Sequence, residues 1–192
     1  DTYLSVPAIN NPRRLPVALK HVENHPHMIS ETTWVNPSDH EAEAALMSAA
    51  YGSLTDLDCF VWFASGSTGW QDGVGRWQFA VPQLGGMFPG AALLYRRYDV
   101  REAPTVVREG RSLQAIADKE TSLFVETRGW DPTRDPNNEF ANDGTGQLDP
   151  LATYVGRVEL AFDGDADYIH PMLDTYIDHP NRVVTSITGE LQ

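Results

Sequence analysis

The sequence predicts an α/β fold in the first half of the chain and a β-rich second half. Two apolar runs without polar alternation, one ending at Glu31 and the other covering residues 59–64, are typical of buried strands in a parallel sheet. An apolar stripe at helical spacing lies between them, which gives the strand, helix, strand order of α/β folds. After residue 100 the pattern changes to short alternating segments. We therefore expect an α/β portion over 1–100 and a β-rich portion over 101–192.

Local signals place the individual elements. Residues 16–24 have helical spacing, with Pro16 at the first helical position. Residues 38–41 form the capping box Ser-Asp-His-Glu, which predicts the start of the helix between the two strands. A further helix is expected from Pro89. Alternating segments predict four strands in the second half: 105–109, 122–126, 154–162 and 182–187.

The composition narrows the range of partners. Of the 192 residues, 41% are hydrophobic, which is enough to bury a core. The chain carries 14 Lys and Arg against 27 Asp and Glu, and its formal charge of −13 repels nucleic acid and anionic membrane surfaces. No segment approaches the roughly 20 consecutive apolar residues of a membrane span. We therefore expect neither a nucleic-acid nor a membrane partner. A neutral polysaccharide fits the charge, and so does a simple requirement for solubility.

The single cysteine, Cys59, lies in the second apolar run. No intrachain disulfide can form, and we expect Cys59 to be a small buried hydrophobic residue. A secretion signal has a basic region followed by an apolar segment, and neither end of the sequence has this pattern. The sequence starts at Asp1, without an initiator methionine. We therefore expect a processed product or part of a longer protein.

The strongest candidate site lies in residues 27–34 (HMISETTW), where an apolar run ends at Glu31 and Trp34 follows three residues later. Active sites of parallel α/β folds form at the carboxyl ends of the strands. A carboxylate there can act as nucleophile or proton-transfer group on a glycosidic bond, and an indole offers a flat apolar face for a sugar ring. His25, just before this strand, could hydrogen-bond within a substrate pocket. The alternative is a surface glutamate at a strand end that does no chemistry.

A second group of aromatic residues follows the next predicted strand. Trp62 lies near the end of that strand, and the glycine-rich loop after it contains Trp70 and Trp77. Large aromatic side chains in a loop can bind a ligand, or they can fold back over the core as a hydrophobic lid. The sequence favours neither interpretation over the other.

Motifs for other chemistries are absent, and neither a metal nor a cofactor is assigned. The sequence has no phosphate-binding P-loop, no dinucleotide GxGxxG, no GxSxG nucleophile elbow and no HExxH. The histidines at 21, 25 and 27 suggest a metal cluster, but Pro26 breaks the geometry between them and no carboxylate falls at a standard interval. Residues 163–167 match the start of a calcium loop but lack the glycine and the final glutamate that such loops need, so a turn is favoured.

With these features in view, residues 15–98 resemble the closing part of a clan A glycoside hydrolase. In that clan a (β/α)8 (TIM) barrel presents its nucleophile as a glutamate at the end of the seventh strand, in stretches similar to MISETTW. The eighth strand commonly ends near a tryptophan that floors the sugar subsite. The resemblance implies that Glu31 is the nucleophile, that Trp62 is the eighth-strand aromatic, and that Trp70 and Trp77 belong to the following loop. It also implies a β-sandwich-like accessory domain after the barrel.

The activity that this resemblance implies is that of a retaining glycoside hydrolase acting on a poly- or oligosaccharide. Such an enzyme needs a second carboxylate as acid/base, about 5 to 5.5 Å from the nucleophile. In the clan this residue is on the fourth strand, and a barrel takes around 250 residues. We therefore expect the acid/base to come from sequence upstream of Asp1. Because a nucleophilic Glu31 must stay ionised, we also expect a hydrogen-bond donor or a cation within its reach. A glycan substrate and an acidic surface further suggest a secreted or periplasmic protein.

Two other functions stay open. A non-catalytic carbohydrate-binding or structural module would use its exposed tryptophans and be indifferent to Glu31. An α/β hydrolase that uses serine or histidine is disfavoured because the nucleophile elbow is missing.

Overall fold

In a computed structural model of the protein, the structure describes residues 7–10, 12, 15–65, 75–123 and 148–192. The described strands are short: β1 (His21–Val22), β2 (Met28–Thr32), β3 (Cys59–Trp62), β4 (Thr105–Gly110), β5 (Arg157–Ala161), β6 (Tyr168–Ile169), β7 (Ile177–Asp178) and β8 (Val183–Val184). The described α-helices are α1 (Glu43–Thr55), α2 (Pro82–Gly85), α3 (Phe88–Arg97), α4 (Leu113–Ala117) and α5 (Ala152–Val155). The described residues also include short 3-10 helices at Ala8–Asn10, Pro16–Ala18 and Leu173–Tyr176.

Four of these strands form a mixed sheet in the order β1-β5-β4-β6. β5 lies between β1 and β4 and is parallel to both, whereas β6 is antiparallel to β4. Glu159 of β5 is the register partner of His21 on one side and of Arg108 on the other. The sheet thus combines β1, from before residue 100, with three strands from after it. The division of the chain at residue 100 stays a prediction.

β2 and β3 form a separate two-stranded parallel sheet and are joined through α1. The register pairs Met28 with Cys59, Ile29 with Phe60 and Thr32 with Trp62. Because a parallel pair requires a crossover connection, the helix between the strands returns the chain to the same end of the sheet. The remaining strands, β7 and β8, form an antiparallel hairpin.

Helix α1 lies between two parts of the hydrophobic core. Met47, Tyr51 and Leu54 belong to a cluster that includes Tyr154 and the apolar residues of the first 3-10 segments. Ala44 and Ala45 belong to a second cluster, shared with α2 and α3. The apolar stripe expected from the sequence is therefore only part of the covered surface of α1, which is buried on most sides. A third cluster is built around β4, β5 and α5.

The predicted architecture of a barrel end followed by a β-sandwich is wrong. Within the described residues there is no closed barrel, and β2 and β3 have no third strand beside them. Strands inside a barrel are covered on both faces, but in β2 only Ile29 is buried, and β3 contains no buried residue. The second half is not a sandwich either, since β5 pairs in parallel with β4 and β1.

Several local predictions are confirmed. The structure has the strand, helix, strand order of β2, α1 and β3, a helix close to the expected start at Pro89, and a strand at Thr105–Gly110. For the predicted strand at 182–187, only Val183–Val184 is a strand. The predicted strand at 122–126 lies mostly outside the described residues.

Other local predictions are wrong, each for an identifiable reason. The capping box does not cap: α1 begins at Glu43, and the Ser38 hydroxyl accepts from the His40 N–H at 3.2 Å. The segment 16–24 forms one 3-10 turn before β1, because pairing with β5 draws the chain into an extended conformation. The expected strand at 154–162 is replaced at its start by α5. Cys59 is exposed, since nothing among the described residues covers that face of β3.

Candidate functional site

The carboxyl ends of β2 and β3 meet at one edge of their parallel sheet. Thr32 is the register partner of Trp62, and the Phe63 N–H donates to the Thr32 carbonyl at 2.9 Å. The register shifts between Ile29 and Thr32, which is the mark of a β-bulge or similar irregularity. Bulges redirect side chains and are frequent beside active sites. This one explains why Glu31 is exposed although Ile29, two residues earlier, is buried.

The carboxylate of Glu31 has no hydrogen bond or ion pair with any residue in the described part of the chain. The donor or cation that we expected from the sequence is therefore not found there. Glu31 stands at the surface edge of the sheet, where a ligand can reach it.

Trp62 is the centre of an aromatic cluster next to this edge. Its ring lies 4.8 Å from Phe60, 5.2 Å from Phe88 in an edge-to-face arrangement, 6.2 Å from Phe79 and 6.4 Å from Trp34. Aromatic rings at these distances attract one another through dispersion and their quadrupoles. Trp62 is thus half-buried and held in position by its neighbours, which favours a supporting role over an open sugar platform.

Trp34 is anchored by a hydrogen bond. Its indole Nε1–H donates to a carboxylate oxygen of Glu43 at 3.1 Å, and the same oxygen accepts from the Ala8 N–H. Glu43 is the first residue of α1. Trp34 therefore ties the loop after β2 to the start of the helix, and its ring packs against the core beside Trp62.

Trp77 and Phe63 form the exposed part of the aromatic surface. Trp77 is 42% exposed and Phe63 38%, and their rings are 6.5 Å apart. The Arg76 guanidinium carbon lies 4.7 Å from the centre of the Trp77 ring, a cation–π arrangement that restrains the indole. The Trp77 carbonyl accepts from the Ala64 N–H at 2.7 Å, so this segment is fixed to the end of β3. Among the described tryptophans, Trp77 is the most exposed.

Asn36 is a site residue that sequence reasoning missed. It is buried, and its side-chain amide donates to the carbonyls of Gly75 at 3.0 Å and Gln78 at 2.6 Å. Its own N–H donates to the Arg76 carbonyl at 2.9 Å. Asn36 thereby fastens the loop after β2 to the segment that carries Trp77. No spacing or motif in the sequence marks it, because the contact forms only in the tertiary structure.

Of the two remaining predicted site residues, only His25 belongs to the described part of the chain. His25 precedes β2 and so lies toward the opposite end of the strand from Glu31; its Nδ1 is 2.7 Å from the Glu23 carbonyl. Trp70 lies outside the described residues. A role for either in substrate binding stays a prediction.

His25 lines a cavity of about 340 Å³ that also contains His21, Asp58 and Arg157. The rings of His21 and His27 stack at 3.8 Å with 4° between their planes. Burial, and then the neighbouring charges of His27 and Arg157, lower the pKa of His21 to about 3. Among the described residues, no three His, Cys, Asp or Glu side chains are placed to hold a metal ion. Of the three histidines that suggested a metal cluster, His21 and His27 instead form a stacked pair, and burial lowers the pKa of both.

A buried carboxylate, that of Glu109, lies near the end of β4, and both of its oxygens have partners among the described residues. Glu109 Oε2 is 3.1 Å from Lys20 Nζ and accepts from the Ser122 hydroxyl at 2.7 Å, while Oε1 accepts from the Leu123 N–H at 3.0 Å. Burial raises the pKa of Glu109, and the hydrogen bonds from Ser122 and Leu123 with the charge of Lys20 outweigh it, so the pKa is lowered. The group holds Lys20, Ser122 and Leu123 to the end of β4, and each of its oxygens already has a partner.

Comparisons of the chain with protein-family models, with curated proteins and with solved structures found no match. In the part of the chain that the structure describes, no helix is long and apolar enough to cross a membrane. Inferences about function therefore rest on the geometry of the β2–β3 edge.

Proposed function

We propose that the carboxyl-end edge of β2 and β3 is a carbohydrate site and that Glu31 is the nucleophile of a retaining glycoside hydrolase reaction. The observation that carries the proposal is the strand, helix, strand unit, which brings an exposed glutamate and an exposed aromatic surface to one edge of a parallel sheet. Carboxyl ends of parallel strands are where α/β enzymes place their reacting groups.

The proposed reaction has two steps. The Glu31 carboxylate attacks the anomeric carbon, the bond to the leaving-group oxygen breaks, and a covalent glycosyl-enzyme forms. Water then attacks the same carbon and releases Glu31. An acid/base residue protonates the leaving group in the first step and deprotonates water in the second. We propose that this acid/base residue belongs to sequence upstream of Asp1, as the resemblance to clan A glycoside hydrolases implies.

The aromatic residues would hold the sugar. Trp77 and Phe63 offer accessible ring surface on which the apolar face of a sugar ring can stack. The cluster around Trp62 would keep this surface rigid, and Asn36 would keep the Trp77 segment in place. Rigid aromatic contacts favour binding because little conformational entropy is lost when the ligand arrives.

The nucleophile can be tested without the acid/base residue. In 2,4-dinitrophenyl 2-deoxy-2-fluoro-glycosides the leaving group departs without protonation, and the fluorine slows hydrolysis of the glycosyl-enzyme, so the adduct accumulates. The 192-residue chain would be incubated with the gluco, galacto, manno and xylo forms. We expect one of them to add one fluorosugar mass to the peptide that contains Glu31. Glu31→Gln should not be labelled, whereas Glu120→Gln, at an exposed site near α4, should be labelled like the wild type.

Two results would contradict the nucleophile assignment: labelling of another residue, or the absence of an adduct with every sugar in the series. The second would favour a non-catalytic carbohydrate-binding module, which the exposure of Trp77 and Phe63 also supports. In that case Trp77→Ala should lose affinity for a glycan that Glu31→Gln still binds normally. Glycan arrays followed by calorimetry would measure both affinities.

A further inference from the structure

A cavity of about 690 Å³ lies beside the β7–β8 hairpin and shares no residue with the β2–β3 edge. Its volume is within the range of about 300 to 1,000 Å³ that small-molecule sites occupy. Leu151, Val183 and Val184 supply apolar lining, and the polar lining includes Asp178, His179 and Arg182. An apolar wall with a few polar groups is the usual composition of a site for a small organic molecule.

Arg182 occupies a backbone position that favours glycine. The hairpin loop between β7 and β8 closes with a hydrogen bond from the Arg182 N–H to the His179 carbonyl at 3.2 Å. The φ angle of Arg182 is 56°, in the left-handed region that glycine adopts without penalty. A residue with a long side chain is unfavourable there, and Arg182 is one of five described non-glycine residues with a positive φ.

Arg182 is exposed and, like Arg96, forms no ion pair with a described residue. Arg101, Arg108 and Arg157 each form ion pairs with at least one carboxylate, whereas Arg182 forms none within the described part of the chain. Guanidinium groups bind carboxylate and phosphate in a two-pronged geometry.

Asp178, which lines the cavity, and Asp149, which contacts His179, both have hydrogen-bond partners. The two oxygens of Asp178 accept from the N–H and the side-chain amide of Asn181, at 3.0 and 2.7 Å. A carboxylate oxygen of Asp149 lies 2.5 Å from Nε2 of His179.

We propose that this cavity binds a small organic anion with an apolar body, such as an aryl carboxylate or an aryl phosphate. The anionic group pairs with the Arg182 guanidinium. The apolar body packs on Leu151, Val183 and Val184. This site is independent of the carbohydrate site, because no residue is common to the two.

The test is calorimetry on the 192-residue chain with benzoate, phenyl phosphate, inorganic phosphate and neutral benzyl alcohol. We expect one of the two aryl anions to bind at least 10-fold more tightly than benzyl alcohol and than inorganic phosphate. Arg182→Gly should lower that affinity at least 10-fold while folding normally, because glycine suits the left-handed backbone. Arg96→Ala, which removes the same charge from α3, should bind like the wild type.

Arg182→Gln supplies a second variant that keeps most of the side-chain length and removes the charge. The proposal is overturned if neither aryl anion binds the wild type at millimolar concentration, or if both Arg182 variants bind like the wild type. Equal binding of benzyl alcohol and the aryl anions would also overturn it, because the cavity would then be a site for neutral apolar molecules.

Discussion

Acidification is expected to destabilise the protein through His21. This side chain is 5% exposed and stacks on His27. The Nε2 atoms of both rings are buried and have no partner among the described residues. Burial is the main cause that lowers the pKa of His21 to about 3, from its ordinary value of 6.5. The folded protein therefore keeps His21 neutral over a pH range in which the unfolded chain takes up a proton.

The sign and size of the effect follow from proton linkage. Stability contributed by neutral His21 is fully present above its unfolded pKa of 6.5 and is lost as the pH falls from there toward about 3. One pH unit inside this window corresponds to about 1.4 kcal/mol. Acidifying from about pH 7 to about pH 5 should therefore lower the free energy of unfolding by about 2 kcal/mol through His21 alone. Burial also lowers the pKa of His27, which acts in the same direction.

Urea unfolding at a series of pH values would measure this loss. His21→Phe preserves a flat ring and removes the titrating group, so its free energy of unfolding should depend less on pH than that of the wild type. Val22→Ala is the matched control, because it removes methyl groups beside the same strand position and leaves every titrating group in place. It should lower stability by a similar amount at each pH. The reasoning is refuted if His21→Phe keeps the pH dependence of the wild type.

Two further predictions concern stability. A Cβ added at Gly156 would meet Val106 Cγ1 at 2.7 Å, so Gly156→Ala should destabilise by about 1 to 3 kcal/mol in thermal unfolding. Gly90→Ala, in α3 with nothing within 4 Å of the added Cβ, should instead stabilise by about 0.5 to 1 kcal/mol; equal effects of the two changes would contradict the packing argument. Glu109→Ala removes a buried carboxylate that accepts from Ser122 and pairs with Lys20, so we expect a loss of about 3 kcal/mol in urea unfolding. A loss below about 1 kcal/mol would show that the network contributes little.

The candidate site was only partly predictable from the sequence. Glu31 and Trp62 could be placed at neighbouring strand ends, because apolar runs and a helical stripe between them indicate a parallel pair. The roles of the aromatic residues could not be assigned. Which of Trp34, Trp62 and Trp77 keeps an accessible ring depends on contacts with Phe88, Glu43 and other residues distant in sequence.

Apolar periodicity and turn residues by themselves determined the order of β2, α1 and β3, the helix after Pro89 and the strand at Thr105–Gly110. These elements depend on local preferences and on a repeating pattern of burial, both of which are written in short windows of sequence. Tertiary structure alone decided how the elements pair. β5 joins β1 to β4, and this places strands from both ends of the chain in one sheet. The exposure of Cys59 and the failure of the capping box have the same origin, since burial and register are set by whichever distant segments pack against a strand or helix.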